Sequence, residues 1–209
     1  MDGIILINKP KEWTSHDIVN KVKKILNEKV GHTGTLDPMA TGVLPLLVGK
    51  GTLCSKYLIN HNKTYKVKLE LGKKTDTADT EGKIVEKEVT NKMLEETVIK
   101  EVLNKFLGKQ EQIPPIYSAI KVNGKKLYEY ARKGQTVEIK PRQIEIYSIE
   151  LLSIDKNLKQ IEFKVSCSKG TYIRSLCEDI GNKLRNCSIY ERIAKNQGWG
   201  FFYNKCNKY

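Results

Sequence analysis

Three runs of alternating residues, 64–72, 142–154 and 160–168, limit the fold of this chain more than any other feature. A period of two is the signature of a strand with one buried and one wetted face. In the first run Tyr65, Val67, Leu69 and Leu71 fall on one side and Lys66, Lys68 and Glu70 on the other. The other two are long and close in sequence, so they predict an antiparallel pair. Helical periodicity is interleaved with these strands. Thr14 and Ser15 are capping candidates, with Asp17 in the first turn, for a helix whose stripe is Ile18, Val22, Ile25 and Leu26 and which Gly31 is expected to end. Leu94, Val98, Leu103, Phe106 and Leu107 predict a second helix, closed by Gly108, and Ile173, Leu176, Ile180 and Leu184 a third over 171–185. The class expected is mixed α+β, an antiparallel-rich sheet with flanking helices.

The remaining segments fill in around this frame. Residues 3–8 form a short apolar run before Lys9-Pro10 and read as a buried strand followed by a break. From Gly31 to Gly51 five glycines and two prolines, Pro38 and Pro45, predict loop. After Pro114-Pro115, the run from Tyr117 to Val122 leads into Asn123-Gly124, a hairpin signal because both residues tolerate positive φ. No repeat and no low-complexity linker interrupts the 209 residues, and a single domain over 1–209 is expected.

Charge points to the class of partner. The chain carries 37 basic against 24 acidic residues, a net +13 that favours polyanions. Residues 121–142 alone hold seven basic side chains against Glu129 and Glu138, with Tyr128 and Tyr130 interleaved. This composition suits phosphate contact and base recognition, and equally a solvated hairpin. Five cysteines, an odd number with no Cys-x-x-Cys spacing, indicate neither a disulfide framework nor zinc, and His16 and His61 match no ligand spacing. No segment approaches the ~20 apolar residues of a membrane span, and Met1-Asp2-Gly3 lacks the basic start of a signal peptide. A soluble, cytoplasmic protein is expected.

One carboxylate stands out. Asp37 lies in a glycine-bearing loop, where the backbone can approach a ligand closely, although Asp before Pro is also a common turn. A carboxylate held against a ribose can stabilise or trap the oxocarbenium character that builds when base and sugar separate. The stretch from Gly31 to Pro38 (Gly-His-Thr-Gly-Thr-Leu-Asp-Pro), continued by Ala40-Thr41-Gly42-Val43-Leu44-Pro45 and Gly49, closely resembles the catalytic motif of TruB pseudouridine synthases. Further matches are Asn8-Lys9-Pro10, Lys63-Thr64-Tyr65, Thr75 to Asp79, Tyr117 to Lys121, Gly124 to Arg132 and Cys167 to Arg174, so the resemblance runs from residue 3 to about 185.

The resemblance implies the pseudouridine synthase fold and isomerisation of uridine to pseudouridine in the T-loop of tRNA, conventionally at position 55. No cofactor or metal is called for, and a monomer acting without an obligatory protein partner is expected. Asp37 would be the nucleophile, Tyr65 would stack on the target uracil and take its C5 proton, and Arg174 would pair with Asp37 and be shared with Asp79. His32 would occupy space left when the base flips out. Substrate contacts are further implied for Lys9, Tyr172 and Tyr190 and, in a basic RNA-clamping insertion at 117–142, for Lys121, Lys125, Lys126 and Arg132. Taken singly, Tyr65 also reads as a core tyrosine, Arg174 as a helix-surface arginine and His32 as a structural histidine. From about residue 186 the likeness fades: Glu191 and the aromatic run from Gly198 to Tyr203 match nothing in the family, and the small C-terminal RNA-binding domain of most bacterial members is not reached. The divergence around Glu191 keeps open a second class of function, a non-catalytic RNA-binding or tRNA-folding protein on the same fold.

Overall fold

The computed structural model describes residues 1–58, 61–74, 85–86, 89–184 and 188–196. They gather into two compact units, one of Met1–Lys66 with the strand residues 192–196, the other within Val67–Glu191. The chain passes between the units inside two continuous strands rather than through a linker, which is why no Gly, Pro or Ser-rich boundary marks the division.

The first unit opens with strand β1 (Gly3–Lys9) and helix α1 (Ser15–Leu26), followed by β2 (Val30–His32) and β3 (Thr41–Val48). A 3₁₀ turn (Gly49–Cys54) and the short α2 (Ser55–Leu58) lead to β4 (Lys63–Leu71), whose first residues belong here. β3 is the spine. It pairs antiparallel with β1, from Gly3 opposite Val48 to Lys9 opposite Gly42, antiparallel with β2, and parallel with the last strand through Ala194 and Lys195. Leu44, Leu46, Leu47 and Val48 are all buried, so this strand shows no alternation, and its glycine and Pro45 read as loop in the sequence. Pro45 breaks no pairing here: it lies opposite Leu6, and its carbonyl accepts from the Thr33 amide at 3.3 Å. β1 is less buried than its apolar run suggests, with Ile4 exposed, because among the described residues it pairs with β3 alone.

Thr14 caps α1 through a reciprocal box: the Asp17 amide donates to Thr14 Oγ1 at 3.0 Å, and the Thr14 amide donates to the Asp17 carboxylate at 2.9 Å. The buried stripe begins with Ile18 and Val19, whereas Ile25 is exposed. The helix stops earlier than Gly31, at Asn27, whose φ of 50° is the left-handed conformation that asparagine tolerates.

The second unit takes the rest of β4, then β5 (Lys73–Lys74), β6 (Val85–Glu86), a 3₁₀ turn (Asn91–Leu94), α3 (Glu96–Asn104) and β7 (Gly108–Gln112). The hairpin β8 (Lys121–Val122) and β9 (Lys125–Lys126), α4 (Leu127–Arg132), β10 (Arg142–Asp155), β11 (Gln160–Cys167), α5 (Ile173–Lys183) and the start of β12 (Ser188–Asn196) complete it. Strands lie in the order β4, β11, β10, β7. β10 and β11 form the expected antiparallel pair, with bulges between Ile146 and Ser148 and between Leu151 and Ser153 that interrupt the alternation of β10. The inward sets of β4 and β11 are buried as the period of two requires: Val67, Leu69 and Leu71, and Ile161, Phe163, Val165 and Cys167. α3 is shorter than its apolar pattern, since Leu94 sits in the preceding 3₁₀ turn, Ile99 is buried and Leu107 is exposed. Gly108, at φ +89°, opens β7. In the hairpin turn Asn123 and Gly124 adopt φ of 50° and 81°, the paired positive values of a two-residue turn. Ile173, Leu176, Ile180 and Leu184 face inward as their spacing predicts. No helix among the described residues is long and apolar enough to cross a membrane.

Candidate active site

Asp37 stands half-buried in the turn that joins β2 to β3, and the backbone on both sides of it is fixed by buried side chains of the first unit. On the N-terminal side, Ser15 Oγ accepts from the Leu36 amide at 2.8 Å and donates to the Leu36 carbonyl at 3.0 Å. On the C-terminal side, the Pro38 carbonyl accepts from the Glu12 amide at 2.9 Å and from Lys9 Nζ at 3.0 Å. The turn itself closes when the Ala40 amide donates to the Asp37 carbonyl at 3.1 Å. A carboxylate bracketed in this way meets a ligand with its main chain already placed.

Lys9 occupies a different place from the one its sequence suggested. Its side chain is fully buried, and Nζ donates to the carbonyls of Pro10 at 2.8 Å, Trp13 at 2.6 Å and Pro38 at 3.0 Å. An ammonium has three protons, and three backbone oxygens take them. Burial pulls the Lys9 ammonium below its ordinary value, against the opposing carboxylates of Asp37 and Asp17. The residue therefore braces the Asp37 turn from within. His32 lies in β2 opposite Leu46, half-buried and five residues before Asp37, and Tyr65 faces inward from β4 at 9% exposure.

In the second unit Arg174 sits in the first turn of α5 at 7% exposure, and its Nη2 donates to the Tyr117 carbonyl at 2.9 Å. It is thus a buried arginine and not the helix-surface one that its position also allowed. Tyr172, half-buried, is the residue that precedes α5. The basic segment is anchored by Leu127, whose side chain is fully buried and whose amide donates to the Ile120 carbonyl at 2.8 Å. Lys121, Lys125 and Arg132 are exposed and Lys126 is half-buried. Two of these cations face one ring: Lys126 Nζ and the Arg132 guanidinium each lie 5.4 Å from the centre of Tyr128, and Lys126 Nζ also donates to the Tyr128 hydroxyl at 3.2 Å. Asp79 lies outside the described residues, as does the side chain of Tyr190. Sequence reasoning overlooked the bracing roles of Ser15 and Lys9. The only signal for them was that a polar residue opens an amphipathic helix and a lysine ends an apolar strand.

Comparison with known proteins places this geometry in a family. The family described as TruB family pseudouridylate synthase (N terminal domain) matches residues 23–173. Among curated relatives, the tRNA pseudouridine synthase B of Clostridium tetani is 55% identical over 88% of this chain and 63% of its own length. That of Clostridium kluyveri is 54% identical over 90% and 63%, and that of a Francisella tularensis strain 48% over 88% and 61%. The chain thus spans less than two thirds of the curated relatives it matches. Among solved structures, a chain of a Cbf5-Nop10-Gar1 complex aligns with a TM-score of 0.71 and 32% identity, over 93% of this chain and 48% of that one. A chain of an H/ACA RNP bound to a substrate RNA containing 2'-deoxyuridine aligns with a TM-score of 0.67 and 29% identity, over 93% and 47%. The match runs through the braced Asp37 turn, Tyr65 and the basic hairpin, and on this evidence the chain belongs to the TruB family of pseudouridylate synthases.

Proposed function

We propose that this chain isomerises uridine to pseudouridine in the T-loop of tRNA, at the uridine numbered 55 by convention. The observation that carries the reading is that the family match passes through an aspartate whose flanking peptides are both held by buried side chains. A site-specific nucleophile needs such support, because its reach toward a flipped nucleotide depends on the main chain beneath it.

The atoms balance without an external reagent. The bond from C1′ to N1 breaks, the uracil turns, C1′ bonds to C5, the C5 proton leaves and N1 gains one. Asp37 serves as nucleophile toward the ribose or the base, and this proton and bond balance is the same either way. Tyr65 stacks on the extruded uracil, and its hydroxyl oxygen takes the C5 proton while releasing its own, so that one proton leaves C5 and one reaches N1. Arg174 is the cation that serves the Asp37 carboxylate, and His32 fills space vacated by the base. Lys121, Lys125, Lys126 and Arg132 contact phosphates of the T stem-loop, with Lys126 and Arg132 leaving the Tyr128 ring as they do so. Lys9 takes no part in RNA contact in this scheme; it holds the Asp37 turn. The protein works as a cytoplasmic monomer, without metal, cofactor or partner protein.

Mapping the product tests the assignment. After incubation of the chain with an unmodified tRNA transcript, carbodiimide labelling and primer extension give one stop, at uridine 55. Stops at other uridines, or none, would refute it.

A further inference from the structure

The segment that leads into the basic hairpin begins with little backbone pairing of its own. β7 ends at Gln112, and Pro114-Pro115 offer no amide protons with which to extend its ladder. Side chains do the holding. Gln112 is 4% exposed and its carboxamide closes on the backbone of a residue 60 positions away: the Tyr172 amide donates to Oε1 at 2.8 Å, and Nε2 donates to the Tyr172 carbonyl at 3.0 Å. One side chain thereby copies a rung of antiparallel pairing. Just beyond it, Ser175 Oγ donates to the Ile113 carbonyl at 2.9 Å, and Arg174 Nη2 donates to the Tyr117 carbonyl at 2.9 Å.

These bonds join residues 112–117 to the first turn of α5, and their parts differ. Tyr172 precedes the helix and has no side-chain cap of its own, and Gln112 holds both of its backbone polar groups at the point where α5 begins. Arg174 follows two residues later. Its guanidinium is a rigid planar fork, and with Nη2 on a carbonyl its other donors point where that carbonyl and the helix entry direct them. Displacing the entry re-aims the fork.

We propose that Gln112 is a positioning residue for the isomerisation: its carboxamide fixes the entry of α5 and, through it, the direction of Arg174. The inference rests on the reading of Arg174 as part of the reacting set. Gln112 acts through Arg174 and does not itself touch the RNA.

The test uses Gln112→Met, which keeps the length and loses both hydrogen bonds, beside Gln112→Glu, which keeps the acceptor for the Tyr172 amide and loses the donor. Single-turnover rates on tRNA fall about 10- to 100-fold for Gln112→Met, the range expected when a reacting group is misplaced by about 1 Å. Gln112→Glu falls between Gln112→Met and wild type, while tRNA dissociation constants of both variants stay within about threefold of wild type. The ¹⁵N side-chain signal of Arg174, assigned by its loss in Arg174→Lys, shifts in Gln112→Met. It keeps its place in the control Gln143→Met, which removes an exposed bond to Glu111. An active wild type whose Gln112→Met variant turns over within about threefold, or whose Arg174 signal does not move, overturns the inference and leaves the proposed function standing. A wild type that forms no pseudouridine overturns both.

Discussion

Replacing Lys9 by methionine isolates what its ammonium contributes, because the volume stays filled and only the donors disappear. Three carbonyls lose a partner, but not equally. Pro38 keeps the Glu12 amide at 2.9 Å, whereas for the Pro10 and Trp13 carbonyls the bonds to Lys9 are the ones lost. An abandoned buried acceptor costs about 1–3 kcal/mol, which sets roughly 2–6 kcal/mol for the two. Two effects pull toward the lower end. Pro10 and Trp13 are exposed residues whose carbonyls can turn to water, and removing a buried charge recovers desolvation energy. A loss of about 2–3 kcal/mol remains, a large share of the 5–15 kcal/mol typical of a folded domain. Urea unfolding should show it as a lower midpoint with an unchanged slope. Turnover well below the new melting temperature should fall too, because Pro38 adjoins Asp37. A Lys9→Met protein within about 0.5 kcal/mol of wild type would refute the bracing role.

Two further outcomes follow from the geometry. Hydrogen bonds from Thr14 hold the Asp17 carboxyl below its ordinary value of 3.8, so its contribution is present above that value and is lost as pH falls through the lower, folded one. Asp17→Asn should lower the thermal midpoint at pH 7, and the gap to wild type should close on acidification below 3.8; a gap independent of pH would contradict the capping box. If the basic hairpin contacts phosphates, tRNA affinity should drop about 10³-fold or more between roughly 50 and 200 mM salt for about six contacts, and alanine at Lys121, Lys125 and Arg132 should flatten the salt slope by about two to three. An unchanged slope would place the RNA elsewhere.

Elements whose pattern is dictated locally were legible before the structure. The alternation of 160–168, the Asn123-Gly124 turn and the cap at Thr14 each follow from one residue's neighbours. What could not be read depends on residues far apart in sequence. Thr41–Val48 looks like loop until β1 and β2 flank it, and burial on both faces removes the period that would have betrayed a strand. The stop at Asn27 competes with Gly31, which also fits a helix end, and only the backbone angle decides between them. For the site the contrast is sharper. Asp37 is conspicuous through the motif around it, while its supports, Ser15 to Leu36 across 21 residues and Lys9 to Pro38 across 29, leave no periodic trace. Gln112 is quieter still, a polar residue at the end of a strand whose partner lies 60 positions on.

Release of tritium from tRNA labelled at C5 of uridine, followed for wild type and Asp37→Asn under single-turnover conditions, bears most directly on the central claim. The amide keeps the shape of the side chain and loses its nucleophilic charge. Wild type should release the label at one site per tRNA, and Asp37→Asn should release none while binding tRNA within about threefold of wild type. Release by Asp37→Asn at a rate comparable to wild type would contradict the assignment of Asp37 as the nucleophile.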